Sequence, residues 1–484
     1  MTELHYLDAT TALRLFRTRE LSPVELLEAV AARTEAVNGG INALTETLFE
    51  DALPAARQAA ASYARGRDLA PLLGLPVAAK EKHGLKGRTL SQGLVARKGD
   101  RATADHPVIE RIRRAGGIIH ARTTTPEYSC ATVTHSPLWG VTRNPWNPQY
   151  SPGGSSGGSG AALAAGLAPL ATASDIAGST RLPASFTGTV GYKAPYGRIP
   201  GLAPLSADHY RGDGPMARTV ADTALLANVM AGRHPGDHAS LDGGPAPSAP
   251  VAGPAAVAGL RIALCVRLGN YPVAADVEAN TRAVASALRS AGAVVEEIGL
   301  PWTTEEISRT MFTHFGYLLG PAMEDETAEA PELLADYTRR FMADARKAAG
   351  ENRFIDGIRA ETRIQAELAA AMDGFDALIC PASAVAALDA DGMYLDGIEA
   401  ADGVRLDHYW QGHMTAPFNI TNRCPVLAVP SGMADCGIPT GVQIVGHPFD
   451  DATVFAVGAA VEELLPWADR RPSLLGLGES RVMI

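Results

Sequence analysis

The sequence predicts an α/β fold, and three observations carry that expectation. Short apolar runs such as "LPVAAKE" and "GGIIHART" alternate with helical stretches such as "PVIERIRRAG", the order of strands and helices that pack in layers. The C-terminal quarter repeats the pattern, with "DALICPAS", "PVLAVPSG" and "TGVQIVGHP" ahead of the helical "DATVFAVGAAVEELL". The 484 residues are 46% hydrophobic and only 6% aromatic, a globular composition with length enough for a large core.

The elements follow in chain order. "SPVELLEAVAARTEAV" opens a helix with Ser22 as cap and Pro23 in the first turn. "ALPAARQAAASYARG" repeats the helical spacing and stops at Gly66. Strands are expected at "LPVAAKE", "GGIIHART" and "PLATAS". Residues 236–259, rich in Gly, Pro and Ala, read as a surface loop rather than a domain linker. After them "LRIALCVR" and "AGAVVEEIGL" read as strands, with the helix "VEANTRAVASALRSAG" between. No internal repeat is visible.

Charge and cysteine use narrow the class. There are 42 basic and 53 acidic residues, a net charge of -11, and no long basic run, which argues against non-specific nucleic-acid binding. "GAALAAGLAPLATA" is too short and glycine-broken to span a bilayer. The N-terminal stretch lacks the unbroken apolar core of a secretory signal. Five scattered cysteines without CxxC spacing point to reduced thiols in a cytoplasm, not to disulfides or zinc. No His/Cys/Asp/Glu cluster at ligand spacing is visible, so neither metal nor cofactor is expected.

One stretch stands out: "SPGGSSGGSG", residues 151–160. It is a poor linker, because it runs straight into "AALAAGLAPLATASD", which reads as a buried helix and strand. As a phosphate cradle it has Ser159 where the motif requires lysine. As a hydrolase elbow around Ser155 it follows "NPWNPQYSP", whose prolines do not suit the strand that elbow needs. A fourth reading adds "ATASDIAGSTRLPASF" (171–186). Ser179 falls at a strand-to-helix junction behind Ala177 and Gly178. Small residues there let backbone N–H groups face a ligand, and a helix N-terminus adds positive potential, the recipe for an oxyanion hole. Ser179 could equally be a plain helix cap. With no histidine nearby, the base for a nucleophilic serine would be a neutral amine. Lys80, at the end of the apolar "GLPVAAK", fits if burial lowers its pKa, although an exposed strand-end lysine is the commoner case.

Taken together, "GLPVAAKE", the section from "SPGGSSGGSG" through "SDIAGSTRLPASFTGTVGYKAPYGRIP", and "DGPMARTVADTALLANVMAG" resemble the amidase signature family. Weaker resemblance reaches nearly the whole chain and thins between about 240 and 405. It implies one domain over 1–484, with a signature core at about 70–230 and a variable substrate entrance at about 240–405. The implied fold is a large mixed central β-sheet flanked by helices on both faces. The implied triad is Ser179 as nucleophile, Ser155 as bridging serine after a cis peptide, and Lys80 as base. The implied oxyanion hole is the N–H groups of Ile176, Ala177, Gly178 and Ser179.

The chain departs from the family at Ala177, where a glycine is usual, at Thr180, and after Lys80, where Glu81 and Gly84 stand in place of two acids. Alanine at 177 implies a negative φ there. The resemblance implies acyl transfer: Lys80 takes a proton from Ser155, which takes one from Ser179, and the proton returns to the leaving nitrogen. Three roles follow from it: a stand-alone amidase for small-molecule amides, with homodimerisation left open; the glutamine-hydrolysing component of a tRNA-dependent amidotransferase, its A subunit; or an inactive binding protein. "TPEYS" and "SPLWG" within residues 123–148 favour the first. "ADHYRGDGPMART" (207–219) reads either as acyl-pocket lining or as a solvated, salt-bridged loop. The aromatics of "TMFTHFGYLLG" and "LDHYWQGHM" read as either core or pocket.

Overall fold

The computed structural model describes residues 3–66, 69–242 and 253–474. The local signals hold where they can be checked. The Ser22 hydroxyl accepts from Val24 N–H, and the Glu25 side chain returns to the Ser22 N–H, capping a helix over Pro23–Ile41. The helix Phe49–Arg65 stops at Gly66, whose φ of 65° is left-handed. Part of the Gly/Pro/Ala-rich stretch, residues 243–252, lies outside the described residues.

The centre is one eleven-stranded sheet. Its strands are β1 (Leu44–Thr47), β2 (Pro76–Lys80), β3 (Ile118–Thr123), β4 (Leu170–Asp175), β5 (Val190–Lys193), β6 (Gly212–Ala217), β7 (Arg261–Leu264), β8 (Val294–Glu297), β9 (Ala377–Pro381), β10 (Val426–Met433) and β11 (Pro439–Gly446). Their spatial order is β1-β3-β2-β4-β6-β5-β10-β11-β9-β7-β8. β3, β2 and β4 run parallel, as do β9, β7 and β8, and the middle is antiparallel. Each strand expected from the sequence is present, and the sheet is mixed. β1, β5 and β6 were not expected. They are short or glycine-bearing, "LTET", "VGYK" and "GDGPMA", and neighbouring strands supply the pairing that their own residues do not announce.

Both faces are covered, and strand alternation shows it. Ile262, Leu264, Ala377, Ile379, Leu427, Val429, Val442 and Ile444 join one apolar core. Their neighbours Ala263, Leu378, Cys380, Val426 and Val445 join another on the opposite face, as a period of two requires. The second core contains Phe312, Phe315, Tyr409 and Trp410, so these aromatics of the 310–320 and 406–414 stretches are core. None of the five cysteines is disulfide-bonded. No helix among the described residues is long and apolar enough to cross a membrane.

β2 and β4 are parallel neighbours, with Val77 opposite Leu170 and Ala78 opposite Ala171. Their carboxyl ends therefore emerge side by side, Lys80 beside Ser174 and Asp175. In open α/β sheets that is where ligands bind.

Candidate active site

Lys80 closes β2 and is fully buried. Its Nζ lies 2.7 Å from Ser155 Oγ, 2.9 Å from Ser156 Oγ and 3.0 Å from Ser174 Oγ. Burial, then the neighbouring Lys82 charge, pull its pKa well below the ordinary lysine value. Its backbone N–H donates to Thr172 Oγ1 at 2.9 Å, which pins the strand end. Ser155 follows a cis Gly154–Ser155 peptide, and the helix Gly157–Ala164 begins just beyond it. The glycines let the chain pass close to its neighbours. A Cβ on Gly154 would meet Val133 O at 2.6 Å, and one on Gly158 would meet Thr124 N at 2.5 Å. Ser156 N–H donates to Ser179 O at 3.2 Å, tying the serine–glycine turn to the second serine stretch.

Ser179 stands between β4 and the helix Arg181–Thr187. Thr180 occupies the cap position and its side chain makes no cap bond, so Ser179 is not a helix cap. The Ser179 hydroxyl takes no protein partner among the described residues, and the residue is 7% exposed while Ser155 is wholly buried. The residue that needs glycine is 178, not 177: Gly178 has φ of 124°. Ala177 has no positive φ, as its side chain implied. Gly178 N–H donates to Asp175 Oδ1 at 2.7 Å. Among the described residues the N–H groups of Ile176, Ala177 and Ser179 have no protein acceptor. Of the four N–H groups expected in an oxyanion hole, that of Gly178 is thus already engaged.

A buried ion pair shapes this turn. Arg181 Nε and Nη2 donate to the two Asp175 oxygens at 3.0 and 2.9 Å. The other guanidinium bonds reach Thr415 O, Gln443 Oε1 and Asn419 Oδ1 at 2.8, 2.6 and 2.6 Å. Burial by itself would raise the Asp175 pKa. Arg181 and Asn419 overcome it and hold the carboxyl at about 2. Thr415 Oγ1 donates to Ala177 O at 2.6 Å.

Sequence reasoning did not single out Ser156, Ser174, Asp175, Arg181, Thr415, Asn419 or Gln443. The signal available was an arginine opening an otherwise uncharged helix, six residues after the acid that ends β4. Glu81 does not face Lys80. It accepts from the Ser91 and Gln92 backbones and orders that loop. A Cβ on Gly84 would meet Ala102 Cβ at 3.2 Å, so this position has little room for a second acid.

The 207–219 segment is mostly buried, so it is not a solvated loop. His314, brought in from the 310–320 stretch, lies 2.7 Å from Asp208 and 3.2 Å from Glu361, and stacks on Tyr210 at 3.7 Å. Burial would lower the His314 pKa, but the bonds to both carboxylates prevail and raise it to about 9. Asp213 gathers Lys82 Nζ at 3.3 Å, His83 Nε2 at 2.9 Å and His106 Nε2 at 3.5 Å. Two clusters of metal-ligand type, His83/His106/Asp213 and Asp208/His209/His314, are therefore assembled from segments whose spacing did not announce them. Their protons are committed, however. Val108 N–H donates to His106 Nδ1, so the ring proton sits on Nε2, facing Asp213. A His314 that is protonated between two carboxylates has no lone pair to offer.

The sheet, the buried lysine among serine hydroxyls and the turn beside it are those of a hydrolase of carbon–nitrogen bonds. The sequence pattern of the Amidase family matches residues 25–455, and the chain belongs to that family. It is 33% identical to the A subunit of the glutamyl-tRNA(Gln) amidotransferase of Chloroflexus aggregans, over 98% of this chain and 99% of the relative. It is also 33% identical to an acylamidase of Rhodococcus erythropolis, again over 98% and 99%. Among solved structures, a bacterial aryl acylamidase of the amidase signature family superimposes with a TM-score of 0.88 at 25% identity, covering 99% of both chains. A 6-aminohexanoate cyclic dimer hydrolase complexed with substrate gives 0.84 at 29% identity, over 97% of this chain and 99% of that one.

Proposed function

We propose that this chain is a stand-alone amidase that hydrolyses a small-molecule carboxamide through an acyl-enzyme on Ser179. The observation that carries the reading is the Lys80 amine, buried, ringed by three serine hydroxyls and, among the described residues, without a carboxylate partner. Burial favours the neutral amine, which has two N–H bonds and one lone pair. Ser156 Oγ directs its own hydrogen at Ser174 O, 3.4 Å away, so towards Lys80 it can only accept. If Ser174 Oγ takes the second N–H, the lone pair is left for Ser155, the nearest of the three. Lys80 then draws the Ser155 proton and Ser155 that of Ser179, through a serine–serine hydrogen bond that this structure lacks and that forms with substrate in place, and the Ser179 oxygen attacks the amide carbonyl. The N–H groups of Ile176, Ala177 and Ser179 receive the oxyanion, and Gly178 gives the turn its shape. The proton returns through Ser155 to the leaving nitrogen, and water cleaves the acyl-enzyme.

The aryl acylamidase likeness over 99% of both chains favours the stand-alone role. The glutamine-hydrolysing role inside an amidotransferase is the second reading, favoured by the 33% identical relative of that kind. Labelling with a fluorophosphonate tests the chemistry. Mass spectrometry should find the label on Ser179, and Ser179→Ala should lose both label and turnover, whereas a label on Ser155 or Ser156 overturns the assignment. Turnover of aryl or alkyl amides by the chain alone, exceeding that of glutamine, separates the two roles; the reverse order selects the amidotransferase role.

A further inference from the structure

A cavity of about 210 Å³ lies between the start of β6 and the 196–206 loop. Lys82, Gln92, His106, Arg211 and Asp213 are in its wall. Lys80, Ser155 and Ser179 are not in its wall, but it lies one strand away from the lysine side of the site. Gly212 and Asp213 pair with Asp175 and Ser174 of β4, and Ser174 Oγ touches the Lys80 amine. In the reaction proposed above, Lys80 and Ser155 return the proton to the leaving nitrogen, so this is the side on which the amine part of the substrate departs.

The charges around the cavity are almost all matched. Asp213 holds Lys82, His83 and His106. Asp237 accepts from the Gly201 and Ala239 N–H groups. Glu326 takes Arg97 and the Tyr128 hydroxyl. Asp208, behind the wall, takes His314 and Tyr210 N–H. Arg211 is the most loosely held. Its side chain is only 17% exposed, and it is paired through Nε alone, 3.6 Å from Asp208 Oδ2, an oxygen that has no hydrogen bond of its own. Its Nε is buried without a hydrogen-bond partner, and no hydrogen bond to its other nitrogens is found among the described residues. A guanidinium held in a cavity wall with its donor fork unfilled matches a planar, two-oxygen anion. The carboxylates already in and behind the wall disfavour a dianion such as phosphate.

We propose that Arg211, with Lys82 beside it, binds a carboxylate on the amine portion of the substrate, so that the preferred amides are N-acyl amino acids. The proposal rests on the amidase reading and adds the class of leaving group. Arg211 acts on binding and takes no part in proton transfer.

The test compares two amides that share whichever acyl group an activity screen ranks first. One is the N-acylglycine, the other the N-isobutyl amide, its uncharged isostere. The wild type should show the higher kcat/KM on the N-acylglycine. Arg211→Gln should reduce the ratio of the two kcat/KM values by about 10- to 100-fold, the range for a lost charge-assisted contact, with the change in KM. Arg211→Lys should fall between. Rates are taken per site titrated by fluorophosphonate, so misfolded variant does not count. A wild type without the preference, or a ratio unmoved in Arg211→Gln, overturns the proposal. If Ser179 does not label, the triad falls by itself. Arg211 is then judged by calorimetric binding of the N-acylglycine against the isobutyl amide, with the same expectation and the same refutation.

Discussion

Replacing Gly178 by alanine perturbs the active-site turn at its tightest point. The residue has φ of 124°, a region open essentially to glycine, which costs another residue about 1–3 kcal/mol. The new methyl would also overlap Thr415 Oγ1 and Cβ and come within 2.9 Å of Thr415 Cγ2. Thr415 cannot simply turn away, because its hydroxyl is bonded to Ala177 O at 2.6 Å, and leaving that buried carbonyl unpaired costs about a further 1–3 kcal/mol. Gly178→Ala should therefore lose about 2–6 kcal/mol in urea unfolding. It should also lose the Asp175 Oδ1–Gly178 N–H bond that shapes the turn, so that fluorophosphonate labelling of Ser179 slows by orders of magnitude even in the folded fraction. Ala177→Gly is the control, since residue 177 has no positive φ; its cost is about 1 kcal/mol or less, from backbone entropy alone. A Gly178→Ala protein with near-wild-type unfolding and labelling would refute the account of why the turn has its form.

The pH dependence of kcat/KM should show an ascending limb well below the ordinary lysine value. Lys82→Met should move that limb upward, because it removes a positive neighbour of Lys80 and frees Asp213, both of which favour the protonated amine; an unmoved limb would show that another group is the base. Because the Lys80 pKa is depressed on folding, the unfolded chain binds that proton more tightly, and its contribution to stability falls as pH drops below the ordinary lysine value. Urea titrations should thus show Lys80→Met gaining on the wild type as pH is lowered, and a constant difference would contradict this. His314 has the opposite sign: raised to about 9, it contributes fully below its ordinary pKa of about 6.5 and loses that contribution as pH rises through 9. His314→Gln should flatten the decline in unfolding midpoint over this window. Arg181→Met leaves Asp175 buried and unpaired and should cost about 3–5 kcal/mol together with Ser179 labelling. Retained labelling would mean that the ion pair does not shape the turn.

What the sequence by itself determined was local. Apolar spacing announced β2, β3, β4 and the five strands from β7 to β11, because each buries its faces whatever its neighbours are. The short or glycine-bearing β1, β5 and β6 carry no such spacing and exist because flanking strands pair with them. The Ser22 cap and the stop at Gly66 were legible, since a cap is satisfied within four residues. The serine–glycine stretch, Ser179 and Lys80 were readable as residue types in a pattern. The absence of positive φ at Ala177 followed from its side chain alone. What only the tertiary structure decided was which side chains meet. Lys80 reaches Ser174 because β2 and β4 are parallel neighbours, and Ser156 because its hydroxyl is bonded to the Ser174 backbone. Arg181 reaches Asn419 and Gln443, 238 and 262 residues further along the chain, because β10 returns beside β5 and β11 beside β10. The 207–219 segment was undecidable from its own composition, because its fate depends on His314 and Glu361 arriving from helices 106 and 151 residues away. Burial turns those charges into ion pairs and, among the described residues of the cavity wall, leaves Arg211 as the guanidinium with an open fork. Hydrophobic periodicity is written along the chain. The pairing of buried charges depends on distances in space, and those are set only when the sheet closes.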